Sequence, residues 1–168
     1  MALTYNLDEV FEIAEQIERN GAAFYRRAAD LHGADAIQGL FLKLADDEDD
    51  HERTFRNMRK QLVASDKGIA NYDKDETVVG YLQALAGSHI FSTDRTPEEE
   101  LSGDKSVSDT LKMAMAKERD SITLYLGIRQ VVGGEEKEKV REIIQEEQKH
   151  LMNLIGSLAE RGPDEGQN

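Results

Sequence analysis

The chain has 168 residues, 34 acids against 21 bases for a formal net charge of −13, and no cysteine. That length suits one domain, 1–168, with a sizeable core. The acidity argues against nucleic acid or an anionic membrane as partner, and the missing thiol excludes disulfides, thiolate zinc sites and cysteine-ligated iron–sulfur clusters within this chain. No apolar run approaches the roughly 20 residues of a membrane span. The start, MALTYNLDEV, lacks a basic region followed by an apolar core, so no signal peptide is expected and a cytoplasmic location is.

The first predicted helix covers residues 7–30, with Asn6 or Asp8 as cap and LHGAD as its end. Its inward seam reads Phe11, Ala14, Glu18, Gly21, Tyr25, Ala28. The second covers 35–65 after a loop of a few residues, so the two should lie antiparallel. Its seam reads Ile37, Phe41, Leu44, Glu48, His51, Phe55, Met58, Leu62. Residues 66–103 form a long crossover, in which DETVVGYLQALAG can make a short helix. There Thr96-Pro97-Glu98-Glu99-Glu100 reads as a cap, a first-turn proline and first-turn acids. The third helix starts at Asp104 or Ser106 and ends at Val132, where Gly133-Gly134 breaks it. Its seam reads Leu111, Ala114, Glu118, Ser121, Tyr125, Ile128. The fourth covers 135–161 with the seam Val140, Ile143, Glu147, His150, Leu154, Leu158, and the tail 162–168 should fray. Two helical hairpins joined by a long crossover predict an all-α four-helix bundle.

Four of these seam positions are glutamates and two are histidines. The run LADDEDDHERTF therefore divides. Glu48 and His51 fall on the core stripe, while Asp46, Asp47, Asp49 and Asp50 fall toward solvent or its margins. Each hairpin repeats Glu-x6-Tyr followed by Glu-x-x-His, which antiparallel packing brings to one level halfway along the bundle. Buried together, four carboxylates and two imidazoles would repel and desolvate one another unless cations balanced them. Two divalent ions would do so, and one glutamate from each of two helices plus Glu-x-x-His from the other two is a dimetal constellation of such bundles. Oxygen-rich ligands with one imidazole per metal favour iron or manganese, and zinc can substitute.

These residues resemble the rubrerythrin branch of the ferritin-like superfamily over IERNGAAFYRRAA, LADDEDDHERTF, MAKERDSITLYLGI and IIQEEQKHLMNL. The resemblance implies a ferritin-like di-iron domain. Its two iron ions would be held by Glu18, Glu48, His51, Glu118, Glu147 and His150, with Glu48 and Glu147 bridging and Glu18 and Glu118 terminal. It also implies an oxidoreductase that reduces peroxide or dioxygen with an external electron donor, and a homodimer with the crossover in its interface. The chain departs from the family pattern twice. Ser121 stands where typical members carry a further glutamate, and no rubredoxin domain can be built without cysteine. Alternative readings are a ferroxidase for iron handling, a di-iron hydroxylase, and a metal-stapled bundle that serves only as a binding partner.

Tyr25 and Tyr125 are read as hydrogen-bond partners of the metal-ligating carboxylates, as electron donors during oxidation, or as ordinary core residues. His89 is read as a crossover histidine satisfied locally rather than an added ligand. His32 is expected to be solvated, and Met113 and Met115 to pack in the core. The outer acids of the run, with Glu52, are read as a solvated face, and Arg129 and Arg141 are expected to pair locally with acids.

Overall fold

The computed structural model describes residues 7–64, 80–82, 84–85 and 95–162. Most of the crossover, including His89, and the tail 163–168 lie outside the described residues. Helices are α1 (Leu7–Leu31), α2 (Gln38–Ala64), the single-turn α3 (Pro97–Glu100), α4 (Val107–Val131) and α5 (Gly134–Arg161). Residues 80–82 and 84–85 are also helical. The described residues contain no strand, and none of their helices is long and apolar enough to cross a membrane. The architecture is an all-helical bundle built from two hairpins, α1–α2 and α4–α5.

Local sequence fixes several helix ends. Ser106 caps α4: its hydroxyl accepts from the Asp109 amide at 3.0 Å, and the Asp109 carboxylate accepts from the Ser106 amide at 3.3 Å. The same reciprocal arrangement joins Thr96 and Glu99 around α3. The second helix begins three residues later than its sequence pattern implies. Asp35 accepts from the Ile37 amide at 3.0 Å and receives Arg161 from the end of α5, so it closes a turn ahead of the helix. Between α4 and α5 only two residues intervene, and Gly134 turns the chain at φ +58°, a conformation costly for residues with a Cβ.

Opposed pairs fix the register. Arg26 meets Asp49 and Arg59 meets Asp8, so α1 and α2 run antiparallel. Asp35 meets Arg161 and Asp47 meets His150, so α2 and α5 do too. The apolar core falls into two clusters. One gathers Phe11, Phe55, Met58, Leu124, Ile128, Val140 and Ile143. The other gathers Phe24, Phe41, Leu44, Leu111, Ala114 and Leu154, with Met113 and Met115 packed against it. At roughly 25 cal/mol per Å² of apolar surface removed from water, these clusters hold the bundle together. The seam polar groups form a layer between them.

Two expectations about single residues fail. His32 is half-buried, not solvated: its Nε2 lies 2.9 Å from Thr110 Oγ1 and its ring lies beside Phe41, so it ties the end of α1 to the start of α4. Burial lowers its pKa. Arg141 does pair locally, with Glu138 at 2.8 Å, but Arg129 Nε is buried with no hydrogen-bond partner.

Candidate metal centre

Glu18, Glu48, His51, Glu118, Glu147 and His150 are all buried in the middle layer. Their facing atoms make two overlapping groups, Glu18 with Glu48, His51 and Glu147, and Glu48 with Glu118, Glu147 and His150. In each group one atom per residue lies within 4.8 Å of every other. Glu48 and Glu147 belong to both groups. The spacing explains the convergence. Glu-x-x-His puts both side chains one turn apart on one helix face, and antiparallel α2 and α5 bring the two motifs together. The imidazoles of His51 and His150 stack with centroids 5.7 Å apart.

Each outer group is held from behind. The Tyr25 hydroxyl donates to Glu118 Oε1, and the Tyr125 hydroxyl donates to Glu18 Oε1. Each tyrosine thus binds a glutamate of the other hairpin. The histidines are tied crosswise as well. His51 Nε2 lies 2.7 Å from Glu146 Oε2 on α5, and His150 Nε2 lies 3.2 Å from Asp47 Oδ2 on α2. A carboxylate on the outer ring nitrogen keeps a proton there and leaves the inner nitrogen facing the centre.

The inner atoms are the ones left over. Glu18 Oε2, Glu118 Oε2, Glu147 Oε1 and His51 Nδ1 are buried without a hydrogen-bond partner. His51 Nδ1 and Glu147 Oε1 stand 2.8 Å apart, yet their alignment is not that of a hydrogen bond. Orphaned buried polar atoms are costly and rare in native proteins. Four of them converging on one layer fit a cation-binding site, and hard oxygen donors with one imidazole per group suit iron or manganese.

The charges respond to this crowding. Burial pushes the Glu48 and Glu118 carboxyls well above the usual range, and repulsion from Glu147 adds to it in both. Burial works against a charged imidazole, but the facing carboxylates of Glu147 and Glu18 outweigh it and hold His51 up at about 12. His150 is held at about 10 against the same burial by Glu118 and Glu147. Glu147 is also disfavoured by burial as an anion, but contacts with Glu118, His150 and His51 win and keep it below the usual carboxylate range.

Two acids at the margin of the layer have roles that the sequence pattern does not announce, and a third lies deeper than it implies. Asp47 is half-buried and holds His150. Glu146 is half exposed, with 53% of its side chain open to solvent, and still holds His51. Both immediately precede the motif glutamate, so the repeated pattern was acid-Glu-x-x-His. Glu52 is buried, not on a solvated face, and it pairs with Arg56 and with Arg19, the latter at 3.6 Å. Ser121 is buried and its hydroxyl turns back to the Lys117 carbonyl at 3.1 Å, so it brings no acid to the layer.

The fold and this layer together define a ferritin-like bundle with a carboxylate–histidine cluster at its centre. Residues 2–65, the stretch containing α1 and α2, match the Rubrerythrin family model. Over nearly its whole length the chain is similar to a solved structure from Thermotoga maritima, described as that of a ferritin-like diiron-carboxylate protein. Identity is 26%, the match covers 94% of this chain and 97% of that one, and the TM-score is 0.74. No curated protein matches the sequence significantly.

Proposed function

We propose that the chain is a non-haem di-iron oxidoreductase that reduces peroxide or dioxygen. In this reading Glu18 and His51 serve one iron, Glu118 and His150 the other, and Glu48 and Glu147 bridge them. One observation carries it. Four buried donor atoms face a common layer without partners, while the opposite ends of Glu18, Glu118 and His51 are tied outward. Iron bound there would supply the electrons that peroxide or dioxygen reduction requires.

The chain's own residues do the rest. Tyr25 and Tyr125 each fix one oxygen of a terminal glutamate and leave the other free to ligate. Burial, with the neighbouring carboxylates, raises both phenols well above their ordinary pKa, so they remain protonated donors. The two apolar clusters wall the layer off from bulk water, which strengthens every charge interaction inside it. No thiolate iron site can be built from this chain, so electrons must come from an external donor.

A second reading, oxidation of ferrous iron by dioxygen for iron handling, is favoured by Ser121. That position carries a further carboxylate in the peroxide-reducing relatives the sequence resembles, and here it is bound to its own helix. The two readings separate in one experiment. The protein is loaded anaerobically with ferrous iron, then mixed with peroxide or with oxygen while ferric absorbance is followed. Faster oxidation by peroxide supports peroxide reduction. Equal or faster oxidation by oxygen supports the ferroxidase reading, and no oxidation by either rules out both.

A further inference from the structure

The buried layer is not evenly divided between its two overlapping groups. Three of the four unpartnered inner atoms, Glu18 Oε2, His51 Nδ1 and Glu147 Oε1, belong to the group of Glu18, Glu48, His51 and Glu147. His51 Nδ1 stands 3.7 Å from Glu18 Oε2 and 2.8 Å from Glu147 Oε1 and bonds to neither. The group of Glu48, Glu118, Glu147 and His150 adds one such atom of its own, Glu118 Oε2. Its histidine is already engaged, because His150 Nδ1 donates to Glu147 Oε2 at 3.2 Å. Glu147 thus turns an open oxygen toward His51 and a bonded one toward His150.

Glu48 leans the same way. Gly21 follows Glu18 by one turn of α1, and a Cβ there would come within 3.0 Å of Glu48 Oε2, so bare backbone lets this carboxylate settle against the helix that carries Glu18. The matching position on α4, one turn after Glu118, is Ser121, whose buried hydroxyl turns back to its own helix. An ion arriving among Glu18, Glu48, His51 and Glu147 meets donors with no bond to lose. It also satisfies three atoms whose burial without partners is costly. An ion arriving beside His150 must displace a hydrogen bond to a carboxylate, one of the stronger, charge-assisted kind. His51 holds its proton more firmly than His150, at about 12 against about 10. The Glu147 and Glu18 carboxylates that hold it act on a divalent ion with twice the force, so they favour exchange of that proton for metal.

We propose that the two metal positions are unequal. Glu18 and His51, with Glu48 and Glu147, take the first divalent ion and keep it. Glu118 and His150 complete the pair second and give up their ion first. The chain therefore has a one-metal state, a resident ion beside a position open to exchange, in which a ferrous ion can enter next to one that stays. This deepens the dimetal reading of the layer and rests on it.

Titration of the metal-free full chain tests the order. Manganese calorimetry should show two steps, the first tighter by roughly 10–100-fold, the range set by displacing one hydrogen bond to a charged group. Mutual repulsion of two ions would by itself separate two steps, so the decisive point is which residues belong to which. Glu118→Gln, which keeps an oxygen for Tyr25, should retain the tight step and lose the weak one. Glu18→Gln should lose the tight step and retain a weak one. The wild-type chain gives the same answer without a substitution. Followed by imidazole nitrogen resonances during zinc addition, assigned through His51→Gln and His150→Gln, His51 should respond to the first equivalent and His150 to the second, and a chelator should reverse the sequence. Two ions bound with both histidines responding together, or with His150 first, overturn the inequality and leave the shared centre standing. Uptake of fewer than two ions overturns the shared centre itself, and the order with it.

Discussion

The Tyr25 hydroxyl, on α1, donates to Oε1 of Glu118, on α4, and Tyr125 on α4 returns the same bond to Glu18 on α1. Glu118 and Glu18 are each thereby divided into a tied oxygen and a free one. Tyr25→Phe leaves Glu118 Oε1 buried without a donor, an effect of about 1–3 kcal/mol on stability. It also removes the group that aims Glu118, so metal affinity should fall about 10–100-fold. Calorimetric titration with manganese, beside a urea melt of the metal-free form, reads both. Unchanged affinity would mean the tyrosine is only packing.

The crossed histidine contacts make a graded prediction. Asp47→Ala should weaken metal binding by about 10–100-fold, because a half-buried carboxylate orients His150. Glu146→Ala should cost less, since Glu146 is 53% exposed and water can replace it on His51. Rates of metal loss to a chelator give the order. The reverse order would show that exposure does not govern these contacts.

Gly21 separates stability from binding. A Cβ there would sit 3.0 Å from Glu48 Oε2 and 3.2 Å from its carboxyl carbon. Gly21→Ala should leave the metal-free protein as stable as wild type or more so, through helix propensity worth up to about 1 kcal/mol. The same change should lower metal affinity by displacing the bridging carboxylate. Thermal melts and metal titration on one sample suffice, and a variant that binds metal as wild type does would remove Gly21 from the account.

The displaced ionisations fix a pH dependence. His51 and His150 are raised from 6.5 to about 12 and about 10. A raised pKa stabilises the metal-free fold below the unfolded value, and that contribution is lost as pH climbs toward the folded one. Glu48 and Glu118, raised above 4.5, act in the same direction. Glu147, depressed, acts oppositely and only on the acid side, where its contribution is lost. Melting temperature of the metal-free protein should therefore fall from pH 6.5 to 10. Metal must displace protons from these groups, so binding should release protons and tighten over the same range. Titration in buffers of different ionisation enthalpy counts the protons. No release would contradict the charge assignment.

The four long helices and six of the cluster residues were legible because each signal repeats. Polar residues interrupt an apolar stripe at matching positions on two hairpins, and Ser106, Thr96 and Gly134 mark helix boundaries. What was not legible depended on position off the stripe. Asp47 and Glu146 lie beside the seam rather than on it, and only the packing of α2 against α5 turns them toward a histidine. Glu52 and His32 look like surface residues in one helix, yet Arg19, Arg56 and Thr110 meet them from elsewhere or one turn away.

The central claim is a pair of metals sharing Glu48 and Glu147. Metal content per chain, measured after anaerobic loading with ferrous iron and removal of the excess, tests it most directly. The account predicts about two irons in the wild type, loss of both in Glu48→Ala and Glu147→Ala, and loss of one in Glu18→Ala or Glu118→Ala. Full occupancy in Glu48→Ala or Glu147→Ala, with the fold confirmed by circular dichroism, would contradict it.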